Sequence, residues 1–417
     1  MQYNIQTVMP PEWAPHAMTL LAWPDNRETW PGVRLNRAER VYGDILQALT
    51  PHEPVMVLVG SNLARQAAAA IMHERGIDRS RVRLIEMAVN DVWIRDYGPI
   101  GLVRYADTGS GTQGSGTQGS GTQRGTPASD TTPATTAQTS VQASAHTTTP
   151  IHPHIVLSNW LYNAWGGKYP PYDSDNAVPA KLARLLDLPV LDTGMVLEGG
   201  SIDVNGAGCL LTTESVLLNP NRNPGLEKHE IEERLCRWFG VQQIIWLKNG
   251  LEGDDTDGHI DDLARFASER VILTMVSDDP EDPNFERLLE NRKRLHHATD
   301  AKGRPFEIIE LPMPETRIEG TTVDGSERVP ASYANFYIAN GCVLVPVYDQ
   351  RYDEQVLSVF GKLFPERAIV PIASADLVWG QGSIHCITQQ VPVITHHAND
   401  FSRVIEHTRP TSQKAAE

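Results

Sequence analysis

The chain predicts an α/β fold made of five comparable units, repeated radially or as a solenoid rather than laid out as one doubly wound sheet. Short apolar strand-like runs alternate with amphipathic helical runs along the sequence. The order strand, helix, strand recurs five times, and several recurrences close on a polar segment. Val55 precedes Asp96 by 41 residues, Cys209 precedes His259 by 50, and Cys342 precedes Cys386 by 44. Similar offsets put Asp96, His259 and Cys386 at equivalent points of different units, so units set around one axis would bring them together. Ordinary α/β alternation with accidental similarity of spacing is the competing account.

In the first unit, residues 55–60 (VMVLVG) read as a buried strand. Residues 62–75 read as a helix, from their run of alanines and the stop at Gly76. Residues 81–87 read as a second strand, and the unit ends in NDVWIRDYGP. The second unit runs from the strand 154–160 through a helix at 177–187 to the strand-like PVLDTGMVLEGG. The third begins with 208–218 and continues through the helix 227–240, with Ile231, Leu235 and Trp238 along one face. It then passes IIWL and ends in GDDTDGHIDD. The fourth comprises 270–276, the helix 285–298 and the strand 306–311. The fifth comprises 341–349, the helix 354–364, the strand 368–372 and the terminal WGQGSIHCITQQ.

One stretch of the 417 residues does not fit this pattern. Residues 107–150 open with three GSGTQ repeats and continue in Thr, Ala, Ser, Pro and Gln, with only Asp107, Arg124 and Asp130 charged. Such a segment cannot bury enough apolar surface to offset its ordering entropy, so it is expected to be a disordered insertion. A linker between two domains is the alternative. The insertion is favoured because candidate chemistry comes from both sides, and loop-closure cost grows only slowly with length. Residues 1–417 are therefore expected to form one catalytic domain, with 417 − 44 = 373 residues in its folded body.

Composition narrows the function classes. The 36 basic and 52 acidic residues give a net charge of −16, which argues against nucleic-acid binding and suits a small cationic ligand. No apolar run is long enough to span a membrane, and no signal-peptide pattern is evident, so a cytoplasmic location is expected. The four cysteines show neither disulfide-scaffold nor zinc spacing.

Within GDDTDGHIDD, five aspartates surround His259; in an extended segment His259 and Asp261 face the same way. Catalysis, metal binding and a solvated acidic turn all fit that motif. DGHID superficially resembles a segment of the arginase and agmatinase metallohydrolases, but a two-metal site needs a second carboxylate cluster, and SDDPEDP at 277–283 reads as a surface turn. Cys386 follows His385 in a polar, glycine-bearing segment, whereas Cys209 and Cys342 lie in apolar strands and Cys236 in a helix. Cys386, His259 and the neighbouring carboxylates form a coherent set of nucleophile, acid/base and cation-binding groups. His385 is disfavoured as the base because adjacent side chains in an extended segment diverge. Asp96 could receive a guanidinium and Trp93 could cover an alkyl chain or a cation. Equally, Trp93 could be core, and Arg95 with Asp96 a structural ion pair. Glu198 beside Gly199 and Gly200 is open between site and structure.

These motifs, together with MPPEWAPHAMTLLAWPDNRETWPG, NAWGGKYPPYDSDN and MVLEGGSIDVNG, resemble the agmatine deiminase family, grouped with bacterial peptidyl-arginine deiminases. The resemblance covers most of the chain outside 107–150. It implies the pentein fold, a five-bladed pseudo-symmetric β/α propeller. It implies Cys386 as nucleophile, His259 as acid/base, Asp96 and Asp261 as guanidinium holders, and Glu198 as orienting the histidine. Trp93 and Asp255 would face the substrate's alkyl chain and distal amine. The implied reaction hydrolyses agmatine to N-carbamoylputrescine and ammonia without metal or organic cofactor. Arginine or peptidyl arginine are alternative substrates, and a catalytically silent guanidine-binding protein is a rival of another class. A homodimer is the implied assembly. Many agmatine deiminases carry T-N-G-H and G-G-G-N-I-H-C, whereas this chain has Asp257 before Gly258-His259 and Gln381-Gly382-Ser383 before Ile384-His385-Cys386.

Overall fold

A computed structural model describes residues 6–105, 153–314 and 328–394. The segment 107–150, expected to be an insertion, lies outside the described residues. The described residues form five separate mixed sheets of three or four strands, as the five-unit reading expected. Each sheet pairs a central strand with an antiparallel neighbour on one side and, across a helical connection, a parallel neighbour on the other.

The sheet at the N-terminal end is ordered Gln389–Pro392, His16–Ala22, Val55–Val59, Val82–Glu86. The next is Gln6–Val8, Ile100–Tyr105, His154–Leu161, Val190–Val196. The third holds Asp203–Val204, Cys209–Thr213 and Gln243–Leu247; the fourth, Ala264–Phe266, Val271–Val276 and Glu307–Pro312. The fifth holds Tyr337–Ile338, Cys342–Val347 and Ala368–Ala373. The short antiparallel strands Asp203–Val204, Ala264–Phe266, Tyr337–Ile338 and Gln389–Pro392 are buried at every residue. The parallel strands opposite them, such as Glu307–Pro312 and Ala368–Ala373, are half exposed. The antiparallel members therefore face the middle of the molecule and the parallel members its rim.

Beside the short strand Gln6–Val8, the start of the chain holds two longer elements that were not anticipated, the strand His16–Ala22 and the helix Val33–Leu49. They shift the repeat. Thr19 pairs with Val55 as Cys209 pairs with Gln243 and Cys342 with Ala368, so Thr19, not Val55, corresponds to Cys209 and Cys342. The first unit carries one extra helix and parallel strand, and its similar offset to Asp96 came from comparing strands that are not equivalent. The helices follow local rules. Ser61 caps Asn62–Glu74 by accepting from the Ala64 amide at 3.1 Å. A capping box of Glu227 and Glu230 opens Lys228–Phe239, and Gly240 at φ 68° closes it. In that helix Ile231, Leu235 and Phe239 are buried, so the i, i+4, i+8 stripe runs to Phe239 and leaves Trp238 partly exposed.

Five linkers carry the chain from the parallel strand of one sheet to the antiparallel strand of the next: residues 87–99, 197–202, 248–263, 313–336 and 374–388. The four buried short strands and the buried start of Ile100–Tyr105 deliver all five to one place.

Candidate active site

Each linker contributes to one buried cluster: Asp96, Glu198, His259 with Asp261, Asn335, and Cys386. The loops are held by backbone bonds between units, as where the Arg95 amide donates to the Cys386 carbonyl at 3.1 Å and the His385 amide to the Asn335 carbonyl at 3.2 Å. The His259 amide donates to Asp254 Oδ2 at 3.2 Å and Thr256 Oγ1 at 3.1 Å. Gly258, at φ 109°, lets the loop pass where a Cβ would lie 2.3 Å from Ser215 Oγ. Gly200 lies inside the cluster itself. A Cβ there would meet His259 Nδ1 at 2.6 Å, Asp96 Oδ1 at 2.8 Å and Asp261 Oδ2 at 3.0 Å, so the space between these groups exists because this residue has no side chain.

His259 Nδ1 lies 3.7 Å from Asp96 Oδ1 and 3.9 Å from Asp261 Oδ1. Both ring nitrogens, Asp261 Oδ1 and Glu198 Oε2 are buried with no hydrogen-bond partner among the described residues. Cys386 Sγ lies 3.2 Å from Asn335 Nδ2 and 3.8 Å from Asp261 Oδ2. Asp96 accepts from Trp165 Nε1 at 2.9 Å and from the Gly200 amide at 3.0 Å. Asp261 Oδ2 lies 2.7 Å from His385 Nδ1.

The electrostatics are those of an acid-rich cluster out of water. Burial raises the Asp96 carboxyl to about 7, and it raises Asp261 and Asp262 well above the usual carboxylate range. Burial, then the carboxyls of Asp261, Asp262 and Asp96, push the Cys386 thiol well up, so the thiol is the resting form. Burial and then the Arg222 guanidinium push His259 well below its ordinary range, leaving it neutral. Unpartnered carboxyl oxygens beside a neutral imidazole are what a bound planar cation would complete, drawing the carboxyls into their ionised form.

The cluster opens into a cavity of about 680 Å³ whose walls include Trp93, Asp96, Trp165, Lys168, Asp255 and Cys386. Trp93 is 5% exposed and packs on Trp30 with ring centroids 5.7 Å apart. Asp255 accepts from Tyr169 Oη and lies 3.4 Å from Lys168 Nζ. Glu198 pairs with Arg222 at 2.6 Å. Arg95 pairs with Glu12 at 3.3 Å and donates to Gln389 and Gln390, so its guanidinium turns away from Asp96. Residues 277–283 lie outside this cavity, and among the described residues no three His, Cys, Asp or Glu side chains are grouped to hold a metal ion.

Three residues here escaped the sequence reading. Asn335, in the uncharged run ASYANFYIAN, carries no motif signal. Arg222 sits in a turn with no spacing relation to Glu198. Trp165 had a signal in the Gly166-Gly167 pair of NAWGGK, which marks a turn, and in it Ala164 and Trp165 adopt positive φ, at 52° and 53°.

The model of the Porphyromonas-type peptidyl-arginine deiminase family matches residues 8–392. The agmatine deiminase of Pseudomonas syringae pv. tomato is 35% identical over 404 residues, covering 92% of this chain and 95% of its own. That of Medicago truncatula is 35% identical over 406 residues, covering 93% and 96%. The solved agmatine deiminase of Enterococcus faecalis superposes with a TM-score of 0.75 at 29% identity, covering 93% of this chain and 96% of that one. Because these matches run through all five sheets and all five linkers, the chain belongs to the Porphyromonas-type peptidyl-arginine deiminase and agmatine deiminase family of the pentein superfamily.

Proposed function

We propose that this guanidino-group hydrolase is an agmatine deiminase, converting agmatine and water to N-carbamoylputrescine and ammonia. The observation that carries this reading is the convergence of Cys386, His259, Asp96 and Asp261 around unpartnered buried acceptors at the end of an acid-walled cavity. Asp96 and Asp261 receive the guanidinium, and its positive charge offsets the carboxylates that otherwise hold the Cys386 thiol protonated. The thiol gives its proton to neutral His259 as the sulfur attacks the guanidino carbon, forming a tetrahedral intermediate. His259 returns the proton to the departing nitrogen, ammonia leaves, and a thiouronium remains on Cys386. Water then attacks the same carbon and His259 takes its proton; the carbon–sulfur bond breaks, His259 returns that proton to the sulfur, and the ureido product leaves after its hydroxyl proton passes to solvent. Asn335 stabilises the sulfur by donating to it, Trp93 and Trp165 wall the alkyl chain, and Asp255 faces the distal amine. Glu198, with Arg222, sets the charge behind His259.

Incubation of the purified protein with agmatine should give ammonia and N-carbamoylputrescine in equal amounts, with a transient adduct on Cys386. No ureido product from any guanidino compound would overturn the reading. Arginine and peptidyl arginine are the competing substrates of the same chemistry, decided by kcat/KM for each. The assembly we propose is a cytoplasmic homodimer of one catalytic domain with 107–150 inserted in it; light scattering tests the dimer.

A further inference from the structure

Six carboxyl groups line the cavity against two cationic side chains, Arg27 and Lys168. Arg27 and Lys168 are both exposed, but Lys168, which follows the turn at Ala164–Gly167, is tied to Asp255 and Asp257. An ammonium has three protons to donate. The Lys168 ammonium meets the Asp255 carbonyl, Asp255 Oδ1 at 3.4 Å and Asp257 Oδ1 at 2.9 Å. The other oxygen of Asp257 accepts from Arg222 Nη1 at 2.6 Å and Asn221 Nδ2 at 3.0 Å. Partial burial of Asp257 is outweighed by these hydrogen bonds from Asn221, Arg222 and Lys168, and its carboxyl stays below the ordinary range. Asp257 sits at φ 70°, a conformation that Asp and Asn both tolerate, so the difference between them here is charge rather than backbone fit.

We propose that Asp257 is a specificity-determining residue: with Asp255 it occupies the Lys168 ammonium, so that the cavity wall repels carboxylate-bearing guanidines and accepts a guanidino amine. The chain of charges Lys168, Asp257, Arg222, Glu198, with Asp255 beside it, sets two cations against three carboxylates. A substrate carboxylate therefore meets an ammonium already paired with two carboxylates and no favourable field, whereas a distal ammonium finds excess acid. Rejection of the wrong ligand by an arranged repulsion is a recognised route to selectivity. This inference rests on the deiminase reading and goes beyond it to the basis of substrate choice.

The test compares kcat/KM for arginine and agmatine in wild type, Asp257→Asn, and Asp257→Asn combined with Lys168→Met. The arginine-to-agmatine ratio should rise at least about tenfold in the single variant, through a lower KM for arginine, and return toward wild type in the double. On the unmodified chain, arginine methyl ester should be at least about tenfold better than arginine despite its greater bulk, because only the charge is removed. That comparison decides the matter should Asp257→Asn fail to fold. A ratio unchanged in Asp257→Asn, a rise that persists without Lys168, or an ester no better than the acid overturns the inference while agmatine is still hydrolysed. A wild-type chain that hydrolyses neither compound overturns the deiminase reading and this inference with it.

Discussion

His259 and His385 stand on opposite sides of Asp261, both buried and both held neutral chiefly by burial, yet their surroundings differ completely. His385 has a carboxylate at each ring nitrogen, Asp261 at 2.7 Å and Glu12 at 2.8 Å. Behind it, Arg95 lies 3.3 Å and Arg265 3.1 Å from the same Glu12 oxygen. Both nitrogens of His259 have no partner at all among the described residues. A buried polar group without a partner costs stability, so it persists where something other than stability retains it. The comparison teaches that of two equally buried imidazoles, the unsatisfied one faces the chemistry and the satisfied one fixes the scaffold.

The largest effect expected is on the Cys386 sulfur, 3.8 Å from Asp261 Oδ2. Cys386→Ser should lower turnover of agmatine by at least about 10⁴-fold, with a thermal unfolding profile close to wild type. His259→Gln should lower kcat by about 10²- to 10⁴-fold with little loss of stability, since it breaks no hydrogen bond. His385→Ala should do the reverse in denaturant titration. Neutral His385 donates at one ring nitrogen and accepts at the other, and losing both bonds between Asp261 and Glu12 costs about 1–3 kcal/mol. If His259→Gln lost as much stability as His385→Ala, the contrast would be broken.

A smaller effect concerns pH. The folded Asp96 carboxyl titrates near 7 against about 4 in an unfolded chain, so the folded state binds its proton more tightly. The contribution of this group to stability is therefore greatest below about pH 4, is lost as pH rises toward 7, and changes no further above it. A guanidinium requires the ionised form. Its affinity for the Cys386→Ser protein should rise up to about tenfold per unit as pH climbs to 7 and then level off. Isothermal titration of that variant checks this, and Asp96→Asn should weaken binding and flatten the slope. The smallest effect is expected far from either histidine: deletion of 107–150 should leave both kcat/KM and cooperative unfolding close to those of the full chain. Loss of cooperative folding would count against one catalytic body.

How much of this was legible follows from the range of each signal. The helices Asn62–Glu74 and Lys228–Phe239 were visible because caps, alanine content and the 3.6-residue period act within a few residues. The strand His16–Ala22 was not read, because HAMTLLA has only Thr19 as a β-branched residue, whereas VMVLV at 55–59 has three valines. The two-residue strands 203–204 and 337–338 are too short to carry any period. Asp96, Glu198, His259, Asp261 and Cys386 were found because acids, a histidine and a thiol stand out beside glycines. Asn335, equally close to the sulfur, is a neutral residue in an apolar run.

The sequence by itself determined the helix–strand alternation, the five-unit count and the chemical types that end most units, because these depend on local spacing and side-chain chemistry. Only the tertiary structure decided which imidazole is left without partners, that Arg95 turns to Glu12, and that Lys168 is tied to Asp257. Those outcomes depend on contacts between linkers separated by tens to hundreds of residues. Buried short strands set the distances between them, and no local pattern encodes those distances.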